Sequence, residues 1–240
     1  MPEDRRPIDA TGITDSDTAG RVGGVHVLGV LHSTPLAIAR ITGAITRYGP
    51  DVVAVESCAE AIEQYHPDVQ DARWPPRDEV EAAAHITDRW YDLLLAGIDT
   101  REYESTADFA EIDVEAFTEL GYLDSPEELT RATYRELDLP AIRRWREITE
   151  QRVPDQFQTV IAERDAVMAG HLHALAEQDE ADTIVAAVGV QHLTGVLDLL
   201  RDPASIPDDL IENPPVVDYQ LFPRDSPYSS ASSTQPGGIR

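Results

Sequence analysis

Three short stretches of this chain are apolar at nearly every position: Val25 to Val30, DVVAVES at 51–57 and TIVAAVGV at 183–190. A strand buried on both faces reads this way, without polar alternation. Between the first two, Ser33-Thr34-Pro35 offers an N-cap and a proline suited to a first helical turn. Ile38, Ile41, Ile45 and Tyr48 then recur at helical spacing, and Gly49-Pro50 stops the helix. Strand, helix, strand in so short a span is a βαβ unit with a right-handed crossover. The chain is therefore expected to be α/β with a mostly parallel central sheet. In such sheets ligands bind outside the carboxyl ends of the strands.

The middle, residues 66–178, reads as a mostly helical insertion. Arg77 to Ala96 places Val80, Ala84, Thr87, Tyr91 and Leu94 on one face, with Gly97 as the end signal. Residues 98–125 carry no decisive pattern. Pro126 to Leu137 and Pro140 to Gln151 each open on a proline, and Pro154 to Gln178 is expected to be one long helix. His192 to Arg201 forms a helix behind the third strand, and PPVVDYQLF adds an edge strand, its prolines lying before it. Residues 1–20 read as a disordered acidic arm and 222–240 as a disordered tail rich in Ser, Pro and Gly, leaving 21–221 as a single domain.

Charge narrows the function. There are 45 acidic residues against 19 basic ones, a formal net charge of −26, and every basic residue is Arg. Such a surface repels nucleic acid and anionic membrane. It suits a protein that works in high salt, where screening within a few ångströms removes most self-repulsion. Without Lys there is no P-loop and no Schiff base. The single cysteine, Cys58, excludes an internal disulfide and a multi-cysteine metal cluster. No membrane-length apolar run and no secretory signal are present, so a cytoplasmic protein is expected. The oligomeric state is open, a homodimer included.

The chemistry concentrates in a repeated motif, Gly-x-x-His, as GVLH at 29–32 and GVQH at 189–192. Each closes a strand, as does Glu56 after VVAV. Two imidazoles and a carboxylate, His32, His192 and Glu56, make a hydrolytic metal set that leaves a position for water. The plainer reading is a pair of packed or capping histidines and a solvated glutamate. The remaining histidines take that plainer reading: His171 and His173 point to different sides of a helix, His26 is packed in a strand, and His66 and His85 lack partners at ligand spacing. Trp74, Trp90 and Trp145 are expected to anchor helices, with a cleft wall as the alternative. His-Glu-x-x-His does not occur.

VHVLGVLHS, YGPDVVAVESC, IAERDAVMAGHLHAL and IVAAVGVQHLTGVLDLL, in this order, resemble the TraB/PrgY family, whose wider relatives include GumN and Tiki proteins. The likeness spans roughly residues 24 to 201, on a sequence of haloarchaeal type. The resemblance implies a metal-dependent, peptidase-like hydrolase, with His32, His192 and Glu56 as metal and catalytic residues. It also singles out Glu163, Arg164 and Asp165 in the long helix. Where the family often has Leu-Cys and then an Arg, this chain has Ser57-Cys58 and Ala61.

On that reading a divalent metal (Mn, Co or Zn) activates water, Glu163 is the general base and Arg164 donates to the oxyanion. Glu56 as base, with only the histidines on the metal, is the variant that sequence leaves open. One rival is a metal-free hydrolase using Cys58 as nucleophile. The other is a non-catalytic binder or regulator of a peptide signal in the same cleft. The partner in each case is a peptide or small molecule.

Overall fold

The computed structural model describes residues 19–58, 61–62, 76–89, 93–100, 109–123, 137–179 and 181–217. Six strands form one sheet: β1 (Ala19–Val22), β2 (Val25–Val30), β3 (Val52–Val55), β4 (Leu94–Gly97), β5 (Ile184–Gly189) and β6 (Val216–Val217). Their order is β1-β2-β5-β3-β4-β6. The four inner strands run parallel, and β1 and β6 close the two edges antiparallel. This is the mostly parallel α/β sheet that the apolar runs predict. β5 lies between β2 and β3, and all six of its residues are buried.

Alternate strand residues feed cores on opposite faces. Leu28, Val30, Val53, Val55 and Leu95 pack with Ile41 and Ile45 of helix α1 (Pro35–Tyr48) and with Ala83 of α2 (Glu79–Arg89). Val27, Ala54, Ala96 and Val188 face a larger set of helices: α3 (Phe109–Glu119), α4 (Leu139–Arg152), α6 (Glu163–Ala176) and α7 (Leu193–Arg201). The short α5 (Pro154–Phe157) precedes α6. Each fully buried Val, Leu or Ile side chain contributes roughly 1.5–3 kcal/mol, so the two cores, more than any polar contact, hold the strand ends in register.

Local signals act as the sequence predicts. Thr34 caps α1, its Oγ1 accepting from the Ala37 amide at 3.1 Å, and Pro35 opens the helix. Gly49 ends it in the left-handed region at φ +55°, its amide donating to Ile45 O. Asp138 caps α4 in the same way, through the Ala141 amide. Trp145 is an anchor as expected: its ring lies 5.1 Å from that of Phe117, and Nε1–H donates to Asp113 at 2.9 Å. His26 stacks on Tyr48 with ring centroids 3.9 Å apart.

Several expectations need correction. The helix expected over Arg77 to Ala96 ends at Arg89, and Leu94–Gly97 is a strand paired with Val52–Val55. Gly97 is therefore not a helix stop. A Cβ there would stand 2.7 Å from the Ser57 carbonyl oxygen, so the glycine permits close approach of two chain segments. The expected helix from Pro154 contains a π-helical turn, Gln158–Ala162, between α5 and α6. Within the undecided stretch 98–125, α3 is a helix. Ala19 and Gly20, placed in the arm by sequence, belong to β1. Residues 1–18, the helix expected over Pro126 to Leu137 except Leu137 itself, the tail 222–240, His66, Trp74 and Trp90 lie outside the described residues. Among the described residues, no helix is long and apolar enough to cross a membrane.

Candidate functional site

The carboxyl ends of the four parallel strands each deliver a polar side chain. His32 follows β2 by two residues, Glu56 directly follows β3, Asp99 follows β4 by two, and His192 follows β5 by three. The two Gly-x-x-His motifs bring their histidines to one carboxylate. Nε2 of His32 is 3.5 Å from Glu56 Oε2, and Nε2 of His192 is 3.6 Å from Glu56 Oε1. Glu56 is fixed from below by the Gly189 amide, which donates to Oε2 at 2.5 Å.

Each ring is held at its other nitrogen. Nδ1 of His32 bonds Glu79 at the start of α2, and Nδ1 of His192 bonds Asp165 of α6 at 2.7 Å. A carboxylate accepts, so each Nδ1 carries the proton, and for His192 the Nε2 lone pair is left facing Glu56. Glu79 spans the turn after β2, because its second oxygen accepts from the Ser33 amide at 3.0 Å. Ser33 is the described non-glycine residue with positive φ, at 56°. Asp165 is gripped in turn by Arg146 at 2.6 Å, and Arg146 also donates to the Gln191 carbonyl.

Arg164, from the turn that follows the π-helical segment, is buried at the centre. Nε donates to Asp99 at 3.1 Å. Nη1 donates to Val160 O at 3.3 Å and to His192 Nε2 at 3.2 Å. Nη2 donates to Glu56 Oε1 and, at 2.6 Å, to Asp99 Oδ2. All five guanidinium N–H bonds are thus engaged. The oxyanion-donor role expected for Arg164 has no N–H to spare in this arrangement. Glu163, expected as general base, is exposed on α6, one residue before buried Arg164, and is not brought to the cluster. Successive helical residues are turned by about 100°, so Arg164 and Asp165 face inward while Glu163 does not.

The cluster is shielded. Side chains of Glu56, Glu79, Asp99, Arg164, Asp165 and His192 are between 1% and 7% exposed, while His32 is 46% exposed. Burial disfavours charge on His32, but its hydrogen bonds to Glu56 and Glu79 and the attraction of both carboxylates raise its pKa to about 10. Burial also works against ionised Glu56, yet the facing His192, His32 and Arg164 hold it well below the usual carboxylate range. Glu79 is held low as well, against its burial, by His32 and by the amides it accepts from. Four carboxylates (Glu56, Glu79, Asp99 and Asp165) face two guanidinium groups (Arg146 and Arg164). The excess negative charge must be met by imidazole protons or by a cation.

The donor set suits a divalent cation in kind, because both imidazoles present Nε2 toward one carboxylate and carry a carboxylate on Nδ1. The three side chains close in on Gly189: a Cβ there would stand 2.9 Å from His32 Nε2, 3.2 Å from Glu56 Oε2 and 3.4 Å from His192 Cδ2, so only glycine lets them approach the strand end so closely. Among the described residues, no three His, Cys, Asp or Glu side chains already stand spaced as ligands. Arg164 lies against two of the three ligand groups. Cys58 is half-buried and free, two residues past Glu56.

The sequence singles out His32, His192, Glu56 and Arg164 and gives no role to Glu79, Asp99 or Arg146, which the structure places in the same cluster. His171 is buried, with its Nδ1 donating to the Ile98 carbonyl at 2.8 Å, apart from the cluster. Residues 105–205 match the model of the TraB/PrgY/gumN family. The matched segment contains Arg146, Arg164, Asp165 and His192, and it leaves His32, Glu56, Glu79 and Asp99 outside. No curated protein and no solved structure matches the chain.

Proposed function

The match over residues 105–205 supports assigning the chain to the TraB/PrgY/gumN family, and on that premise we propose that it is a metal-dependent hydrolase acting on a peptide or small-molecule substrate. His32, His192 and Glu56 would hold the divalent cation, manganese, cobalt or zinc. The observation that carries this reading is the approach of two Nε2 atoms to one carboxylate, within 3.6 Å. When bound, the cation supplies a hydroxide near neutral pH by lowering the pKa of a water.

The chain's own residues do the remaining work. Glu79 and Asp165 hold the two rings in orientation, which keeps Nε2 of each on the cluster side. Glu56 stays ionised at neutral pH because its pKa is held low, which favours a ligand over a base. Buried walls exclude bulk water and strengthen every charge interaction inside. His32, the most exposed member, marks the side from which a substrate approaches.

Metal analysis of the purified protein in high salt, beside His32→Ala and His192→Ala, tests this reading. Folded variants that lose bound metal support it; unchanged metal content in both removes it. A second reading, a non-catalytic binder of a peptide signal, is favoured by the engagement of all five Arg164 N–H bonds within the cluster. Incubating a peptide library with the protein and manganese or cobalt separates the two: cleaved peptides favour the hydrolase, and bound peptides recovered intact favour the binder.

A further inference from the structure

Arg164 competes for the atoms that the proposed cation needs. Its Nη2 donates to Glu56 Oε1 and its Nη1 to Nε2 of His192, both of them ligand atoms in the reading above. A divalent cation and a guanidinium cannot share the single Nε2 lone pair of His192, and at Glu56 the two like charges repel strongly in a buried site. The guanidinium nevertheless has a second anchor. Asp99, two residues past β4, accepts from Nε at 3.1 Å and from Nη2 at 2.6 Å, and its side chain is 6% exposed. Val160 O, in the π-helical turn, accepts from Nη1 at 3.3 Å.

We propose that Arg164 is a built-in competitor of the cation and that Asp99 is the positioning residue that retains the guanidinium when Glu56 and His192 turn to ligation. In the cation-poor arrangement Arg164 neutralises Glu56. On loading, Arg164 gives up its bonds to Glu56 and His192 and keeps those to Asp99. The released Nη1 and Nη2 hydrogens then face the cluster, where a substrate oxygen that gains negative charge would accept them. The order of events matters: the donors become free only once the cation is in place. This inference rests on the metal reading of the same site, but it concerns residues that reading leaves outside the ligand set.

The test is direct Mn2+ binding by the full chain in high salt, followed by titration calorimetry and by the Mn2+-induced shift in melting temperature. Neither readout depends on hydrolysis. Arg164→Gln removes the competing charge and is expected to tighten Mn2+ binding about tenfold or more. Because that change strands Asp99 buried without its main partner, the paired variant Arg164→Gln/Asp99→Asn is measured beside it and is expected to tighten binding likewise. Asp99→Asn alone leaves Arg164 with Glu56 as its main anion and is expected to weaken Mn2+ binding about tenfold. Unchanged or weaker binding in the paired variant overturns the proposal, as does tighter binding in Asp99→Asn. Tighter binding in the Arg164 variants with no peptide cleaved by any form would sustain the competition and sink the hydrolase instead.

Discussion

Nδ1 of His192 donates to Oδ1 of Asp165 at 2.7 Å, and the bond decides which nitrogen of that ring keeps its lone pair. Asp165 can do this because Arg146 holds its other oxygen and because Gly195 gives it space: a Cβ at 195 would overlap both Asp165 Oδ2 and Arg146 Nη2. Asp165→Asn keeps the shape but offers a rotatable amide in place of a fixed acceptor pair. Cation affinity is expected to fall about 10–100-fold, while far-ultraviolet circular dichroism stays unchanged. Calorimetric Mn2+ titration checks it; wild-type affinity would show that the ring is oriented by something other than Asp165.

Gly189 makes a different prediction. Its missing side chain lets His32, Glu56 and His192 pack against the strand end, where a Cβ would stand only 2.9–3.4 Å from their atoms. Gly189→Ala places a methyl there, and partly exposed His32 can swing aside, so a stability loss of only about 1–3 kcal/mol is expected. Cation binding is expected to be abolished. Urea unfolding and Mn2+ binding on one preparation separate the two effects.

The ionisation of the cluster predicts a stability profile. His32 has its pKa raised from 6.5 to about 10, so its contribution is complete below about pH 6.5 and is lost as pH rises through about 10. Glu56 and Glu79 are lowered from 4.5, so theirs is complete above about pH 4.5 and is lost as pH falls. The summed contribution is therefore flat between roughly pH 4.5 and 6.5 and falls on both sides. Urea unfolding of wild type and His32→Gln at pH 5.5 and pH 10, at constant ionic strength, should show a gap at the lower pH that shrinks at the higher. Solvent exposure of the His32 ring keeps that gap modest.

Thr34 joins the helix start to the His32 turn. Its Oγ1 accepts from Ala37 N–H and donates to Leu31 O at 2.8 Å, and the side chain is buried. Thr34→Ala is expected to cost about 1 kcal/mol. Thr34→Ser, which keeps the hydroxyl, should recover most of that in chemical denaturation. Equal losses in the two variants would assign the effect to the methyl group.

What the sequence made legible followed from short-range physics. The helix start at Thr34-Pro35 and its stop at Gly49 are local hydrogen-bonding rules, and they operate as read. His32, Glu56 and His192 stand out in the sequence because each closes a continuous apolar run. Asp99 obeys the same rule, but Leu94 continues the helical spacing of Val80, Ala84, Thr87 and Tyr91, so the run before Asp99 reads as the end of a helix with Gly97 as its stop. With the strand recognised, its following acid stands where Glu56 stands. The expected base, Glu163, and the inward Asp165 are distinguished by the helix itself. Asp165 is three, four and seven residues before Met168, Ala169 and Leu172, all buried, which puts it on the inward face. Glu79 and Arg146 leave no comparable trace, since their partners, His32 and Asp165, are remote along the chain and the pairing is made by tertiary packing alone.

The placement of β5 has a consequence for biosynthesis. β2 pairs with β1 and β5, and β3 pairs with β4 and β5, so the last long strand to leave the ribosome joins two otherwise separate strand pairs. A nascent chain that has not yet emerged as far as Gly189 lacks the strand that covers the inner edges of β2 and β3, and holds none of the amide support on which Glu56 rests.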